Sequence, residues 1–220
     1  MEQSQWEVIF LKPTSVFLSF IAEQLPGIDL PELRFLQADT TAYAIRKQAS
    51  EEATLEEIEK HFPRMFRHEI CRWLGENARN EIEGSFLDFL CCFKFEMHSQ
   101  IVLMEPSITK GHQLLCIKPR SVLLKWMKSS VADQDEVSST IERVNLSHLV
   151  DNATVVVKNF NQLSEIKPFI QQYYRPIFKM EMSRMCEKVD QWPVIDTFQT
   201  FNRHFSVELH TQLVHLFTRQ

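Results

Sequence analysis

This chain repeats itself at about half its length, and a repeat of that period constrains the fold more than any other feature of the sequence. Glu96 to Val102 (EMHSQIV) returns as Glu208 to Val214 (ELHTQLV), keeping Glu, His, Gln and Val at an offset of 112 residues. Lys12 to Leu18 (KPTSVFL) returns as Lys118 to Leu124 (KPRSVLL), with five of seven positions identical at an offset of 106. Extended backward without a gap, the later match pairs Phe86, Phe89 and Phe93 with Phe198, Phe201 and Phe205. Weaker matches join Asp39 to Arg46 (DTTAYAIR) with Asp151 to Lys158 (DNATVVVK), and Leu55 to Ile58 with Leu163 to Ile166. The five segments keep their order, and the shifts in offset belong in loops, where insertions are tolerated.

Two related units are therefore expected, residues 1–105 and 112–220, joined by a linker at 106–111 that contains Pro106, Ser107 and Gly111. A unit of that size alone buries only about 60–65% of its unfolded surface. Packing of the two into a pseudo-dimer by tandem duplication is the expected architecture.

Within a unit, Trp6 to Leu11 reads as a strand, and Pro13 with Thr14 or Ser15 starts a helix whose apolar face is Val16, Phe17, Phe20 and Ile21. Leu33 to Gln37 and Thr41 to Lys47 read as two strands, with Asn145 to Val150 and Thr154 to Lys158 as the second copy. Thr54 and Glu57 form a capping-box pattern that opens a helix, Pro63 kinks or breaks it, and the apolar pattern resumes until Gly75 stops it. Phe86, Phe89, Phe93, Met97, Ile101 and Met104 share a helical stripe, which predicts one long helix over Ser85 to Met104. The fold class is thus α+β, each unit running β-α-β-β-α-α-α.

The helical phase puts Gln100 beside that stripe and turns His98 away from it. Gln100 and its counterpart Gln212 are accordingly expected to be partly buried and hydrogen-bonded to each other at a seam between the units, since a buried amide needs partners.

Charge divides unevenly. Residues 1–105 hold 10 basic and 18 acidic side chains, net −8, and residues 106–220 hold 14 and 11, net +3. Neither half carries a basic stripe interleaved with aromatics, so no nucleic-acid partner is expected. No apolar run approaches the ~18 residues of a membrane span, and Met1 to Trp6 lacks the basic start of a signal peptide. The expectation is a cytoplasmic protein, peripheral to a membrane only through a partner. Its five cysteines show no CxxC spacing, lie inside apolar stretches and read as reduced, buried thiols.

Chemistry-bearing patterns are sparse. The four glycines form neither GxGxxG nor GxxxxGK, and no HExxH or Cys/His metal spacing occurs. His204, His210 and His215 do not stack on one helical face and read as surface or boundary histidines, Cys91 and Cys92 read as buried packing residues, and Glu56, Glu57 and Glu59 suit a helix start. No catalytic residue, metal or cofactor is expected. Seventeen phenylalanines and eight methionines mostly build two cores, and Trp73, Trp126, Tyr173, Tyr174 and Trp192 are not all expected to fit inside. Tyr173, Tyr174 and Trp192 are the candidates for a protein interface.

Trp6 to Pro26 (WEVIFLKPTSVFLSFIAEQLP) and Leu55 to Gly75 (LEEIEKHFPRMFRHEICRWLG), about a fifth of the chain, resemble small soluble accessory subunits of the bacterial Dot/Icm type IVB secretion coupling complex. The resemblance implies a cytoplasmic, non-enzymatic protein that helps present effector proteins to a coupling ATPase, and it carries over no site residue. Composition and resemblance together favour a protein-interaction module, an adaptor or scaffold subunit of a larger bacterial assembly. A regulator binding a small apolar ligand between the two units is the alternative. An enzyme with its site at the repeat junction is a third reading.

Overall fold

The computed structural model describes residues 5–76, 84–105, 111–131 and 144–216. Strand β1 (Trp6–Pro13) buries Val8, Ile9, Phe10 and Leu11 in succession, so both of its faces are covered. An unbroken apolar run suits such a strand. After it come α1 (Ser15–Gln24), a single turn α2 (Leu33–Leu36), β2 (Ala42–Arg46), α3 (Glu51–Leu74), α4 (Phe86–Cys92), β3 (Phe93–His98) and β4 (Ile101–Leu103). The second half repeats the order: β5 (Gln113–Pro119), α5 (Ser121–Val131), α6 (Leu146–Val150), β6 (Val155–Lys158), α7 (Ile166–Met185), α8 (Phe198–His204), β7 (Phe205–His210) and β8 (Leu213–His215). Short 3-10 turns lie at Leu163–Glu165 and Val189–Gln191. The protein is α+β, with each half running β-α-α-β-α-α-β-β among the described residues.

Four expectations are corrected. Residues 33–36 and 146–150 are helical turns rather than strands. Their burial shows why: Leu36 and Leu149 are buried while Arg34, Phe35, Ser147 and His148 are exposed, a helical rather than an alternating pattern. The long helix over 85–104 does not form. Phe86 and Phe89 keep the helical stripe, but Phe93, Phe95 and Met97 also alternate at period two, and all three pack in one core with Lys94 exposed between them. Pro63 leaves α3 continuous. The proline and Glu59, whose carbonyl loses its helical donor, are both exposed, so water can take the bond. The helix starts at Ser50, whose hydroxyl accepts from Ala53 N at 3.2 Å, rather than at Thr54, and it ends as expected on Gly75 at φ 82°.

Two four-stranded sheets result, ordered β3-β1-β2-β8 and β4-β6-β5-β7. β1 runs antiparallel to β2 from Trp6 opposite Arg46 to Phe10 opposite Ala42, and β5 runs antiparallel to β6 from Gln113 opposite Lys158 to Cys116 opposite Val155. Each sheet ends on a strand from the other half of the sequence. β8 lies parallel to β2 with Ala42 opposite Leu213, and β4 lies parallel to β6 with Ile101 opposite Val155. Among the described residues the compact units therefore comprise those of 5–97 with 210–216, and those of 98–209, a partition different from the sequence halves 1–105 and 112–220. The linker at 106–110 lies outside the described residues.

The first unit has a core of Ile9, Leu11, Phe17, Ile58, Phe66 and Phe89, and the second one of Leu115, Ile117, Val156, Phe169, Phe201 and Phe205. Within the described residues no helix is long and apolar enough to cross a membrane.

Candidate functional site

The two strongest sequence repeats meet in space. In the first unit the Lys12 ammonium of the KP segment pairs with the Glu96 carboxylate of the ExH segment. In the second, Lys118 Nζ lies 2.6 Å from Glu208 Oε2. The buried member differs: the Glu96 side chain is 7% exposed against 28% for Lys12, whereas Lys118 is 6% exposed against 41% for Glu208.

The histidine of the repeat anchors a loop. His98 Nδ1 lies 2.7 Å from the Ala153 carbonyl, and His210 Nδ1 lies 3.2 Å from the Thr40 carbonyl. Both rings are fully buried, His210 contrary to its expected surface or boundary position. The turn after each histidine is clamped by a carboxylate or amide oxygen. Asp39 accepts from Thr211 N at 2.9 Å and from its hydroxyl at 2.7 Å. Asn152, at φ 59°, accepts from Ser99 N at 2.6 Å and from its hydroxyl at 2.8 Å. Asn is among the few side chains that tolerate that left-handed backbone.

Gln100 and Gln212 sit in these turns and not on helices. Gln100 Nε2 donates to the Met180 carbonyl at 3.2 Å, and its own carbonyl accepts from Val155 N. Gln212 is exposed, and its carbonyl accepts from Ala42 N at 2.8 Å. Both glutamines thus extend the strand ladders through their backbones. Thr14, expected as a helix cap, donates its hydroxyl to the Cys91 carbonyl at 2.7 Å, and its amide to Cys92 O at 2.9 Å, closing the C-terminal end of α4.

A second recurring constellation is less visible in the sequence. Glu69 and Arg72 on α3 have counterparts in Glu181 and Arg184 on α7, at the same offset of 112. Applying the ungapped offset to the third helix would have found them. Glu69 and Glu181 are 1% and 0% exposed. Arg72 donates to the Asp39 carbonyl at 2.6 Å and to the Thr41 hydroxyl at 3.1 Å. Arg184 donates to Leu149 O at 2.9 Å, to Asp151 O at 3.2 Å and to Glu181 Oε2 at 3.0 Å. The other Glu181 oxygen accepts from Thr154 N. Each arginine thus fixes the loop before the second strand while neutralising a buried carboxylate.

In the first unit Tyr43 adds its hydroxyl, which donates to Glu69 Oε1 at 2.8 Å and lies 3.1 Å from His68 Nδ1. Burial, reinforced by the Glu69 charge, holds the Tyr43 phenol well above its ordinary range, so it stays neutral. These carboxylates are bound up by guanidinium, hydroxyl or amide donors, and the arrangement serves to hold loops.

The remaining candidates have local roles. Burial pushes the Cys92 thiol up to about 11, which keeps it protonated, whereas Cys91, expected to be buried beside it, is exposed. His204 Nδ1 bonds the Thr200 carbonyl of its own helix at 2.9 Å. Tyr173 packs on Phe169 at 4.8 Å between ring centroids, Tyr174 donates to the Asp196 carbonyl at 2.8 Å, and Trp192 Nε1 donates to Cys186 O at 2.9 Å. All three are half-buried against the second core.

One surface differs between the halves. Leu87 and Leu90 on α4 are 69% and 39% exposed, beside exposed Cys91. The counterparts on α8 are Gln199, Asn202 and Arg203. No family model matches the chain, and neither does a curated protein or a solved structure.

Proposed function

We infer that the chain is a non-catalytic protein-interaction module, an adaptor or scaffold subunit of a larger bacterial complex, and that the α4 face of the first unit docks a partner protein. The observation that carries this reading is the divergence of α4 from α8: at matched positions one half keeps polar residues in water and the other exposes Leu87, Leu90 and Cys91. Scattered exposed leucines are ordinary, but two on successive turns of one helix face form a contiguous patch of the kind that interfaces use. The half that carries it has net charge −8, which favours a partner with a basic rim around an apolar contact. The resemblance of residues 6–26 and 55–75 to Dot/Icm accessory subunits supports effector recruitment in the cytoplasm as the setting.

The test is quantitative affinity purification from native cells with wild type, Leu87→Asp/Leu90→Asp, and a control carrying Gln199→Asp/Asn202→Asp. A stoichiometric partner recovered by wild type and the control but lost with the leucine variant supports the assignment. Equal recovery by all three, or recovery of no partner, contradicts it.

A further inference from the structure

The two copies differ at one buried position in a way that changes chemistry. The KP repeat places Cys116 where the first half has Phe10, and the ExH repeat places His98 where the second has His210. In the first unit Phe10 and His210 stack, with ring centroids 4.1 Å apart. In the second unit Cys116 Sγ lies 3.9 Å from His98 Nε2. The site that holds a ring in one unit holds a thiol facing an imidazole in the other.

His98 is set up as a ligand. Its Nδ1 lies 2.7 Å from the Ala153 carbonyl, which only an N–H can satisfy, so Nε2 carries the lone pair and faces the sulfur. A ring nitrogen oriented by a backbone carbonyl through the opposite nitrogen is the usual support of a metal-binding histidine. Both side chains are fully buried.

We propose that His98 and Cys116 are two ligands of one thiophilic cation, Zn2+ or Cu+, held in the second unit. Bond lengths of about 2.3 Å to sulfur and about 2.0 Å to nitrogen span the observed 3.9 Å at an N–metal–S angle of roughly 130°. Soft thiolate selects these ions, and imidazole suits both. Binding releases the Cys116 proton and leaves a thiolate on the metal, so affinity falls as the medium is acidified. The first unit, with Phe10 in place of the thiol, has no such pair at the matched position.

The test is anaerobic competition of the full chain against chromogenic chelators, one series with Cu+ and one with Zn2+. Three variants accompany wild type: Cys116→Ser, Cys116→Phe, which copies the residue of the other unit, and His98→Asn, whose amide retains a donor toward Ala153 while removing the second nitrogen. Circular dichroism identifies the variants that fold. The expected result is one equivalent of one of the two ions bound by wild type, with affinity at least tenfold lower in each folded variant. The series in which that loss occurs names the ion. Wild-type retention of neither ion, or affinity unchanged in His98→Asn or Cys116→Ser, overturns the proposal.

Discussion

Lys118 reaches Glu208 across 90 residues of sequence at 2.6 Å, and this pair joins the two segments by which the chain repeats itself. The first half makes the same join between Lys12 and Glu96. Retention of these motifs twice in one chain is explained by an ion pair between adjacent strands, with Pro13 and Pro119 closing the strands that carry the lysines.

Arg184→Met should be among the most damaging single changes in the protein. It leaves the fully buried Glu181 carboxylate without its guanidinium and removes the donors to Leu149 O and Asp151 O. Breaking a buried pair from one side costs about 3–5 kcal/mol. Arg72→Met should cost less, because Arg72 lies 4.0 Å from Glu69 against 3.0 Å between Arg184 and Glu181. Urea denaturation measures both, and a cost below about 1 kcal/mol for Arg184→Met would show that the network is not structural.

Tyr43→Phe should cost about 1–3 kcal/mol at neutral pH by withdrawing a donor from buried Glu69. It should also alter the alkaline limb. The folded phenol is raised above its unfolded value near 10, so its stabilising contribution is complete below about pH 10 and is lost as pH rises toward the folded value. Wild type is thus expected to lose stability above about pH 10 more steeply than the phenylalanine variant. Parallel alkaline limbs would contradict the burial of this hydroxyl.

How far this was legible in sequence depends on the kind of signal. The α+β class could be read because helix-start signals and short β-branched apolar runs both occur along the chain, whereas the element order expected for each unit, β-α-β-β-α-α-α, is β-α-α-β-α-α-β-β among the described residues. The stretch after Ser85 misled because Phe93, Met97 and Ile101 satisfy both a helical stripe and strand alternation, and only long-range pairing of β3 and β4 decides between them. Leu33 to Gln37 failed for a related reason: a short apolar run has no period of its own, and its backbone groups close a local turn instead of a ladder. Glu69 and Arg72 looked like ordinary helix charges, since three-residue spacing on a helix is common and burial is not written in it.

Ser85 and Asp88 form a reciprocal cap on α4, Ser85 Oγ accepting from Asp88 N at 3.2 Å and Asp88 Oδ2 accepting from Ser85 N at 2.8 Å. Ser85→Ala is expected to cost about 1 kcal/mol. The Ser85 hydroxyl and amide hold the Asp88 carboxyl below its usual value. A depressed carboxyl contributes above its unfolded pKa and stops contributing as pH falls through the folded one. The stability difference between wild type and Asp88→Asn should therefore shrink below about pH 4, and a constant difference down to about pH 2 would contradict the cap.

Thiol labelling separates two adjacent cysteines. At pH 8, Cys91 should react with a soluble alkylating reagent in the folded protein, while Cys92, protonated up to about 11, should react about two orders of magnitude more slowly than a free thiol. Peptide mass mapping assigns the sites, and comparable rates at both would contradict the burial of Cys92.

Each half of the chain completes the other's sheet, and on that exchange of strands the positions of the histidines, the turns and the ion pairs depend. Backbone hydrogen exchange at Ala42 tests it most directly, because its N–H is donated to the Gln212 carbonyl from the far end of the chain at 2.8 Å. In the full chain Ala42 should exchange among the slowest amides, and in a chain ending at His210 it should exchange faster by about tenfold or more while Trp6 to Phe10 remain paired with Ala42 to Arg46. Unchanged protection of Ala42 in the shortened chain would contradict the exchange of strands.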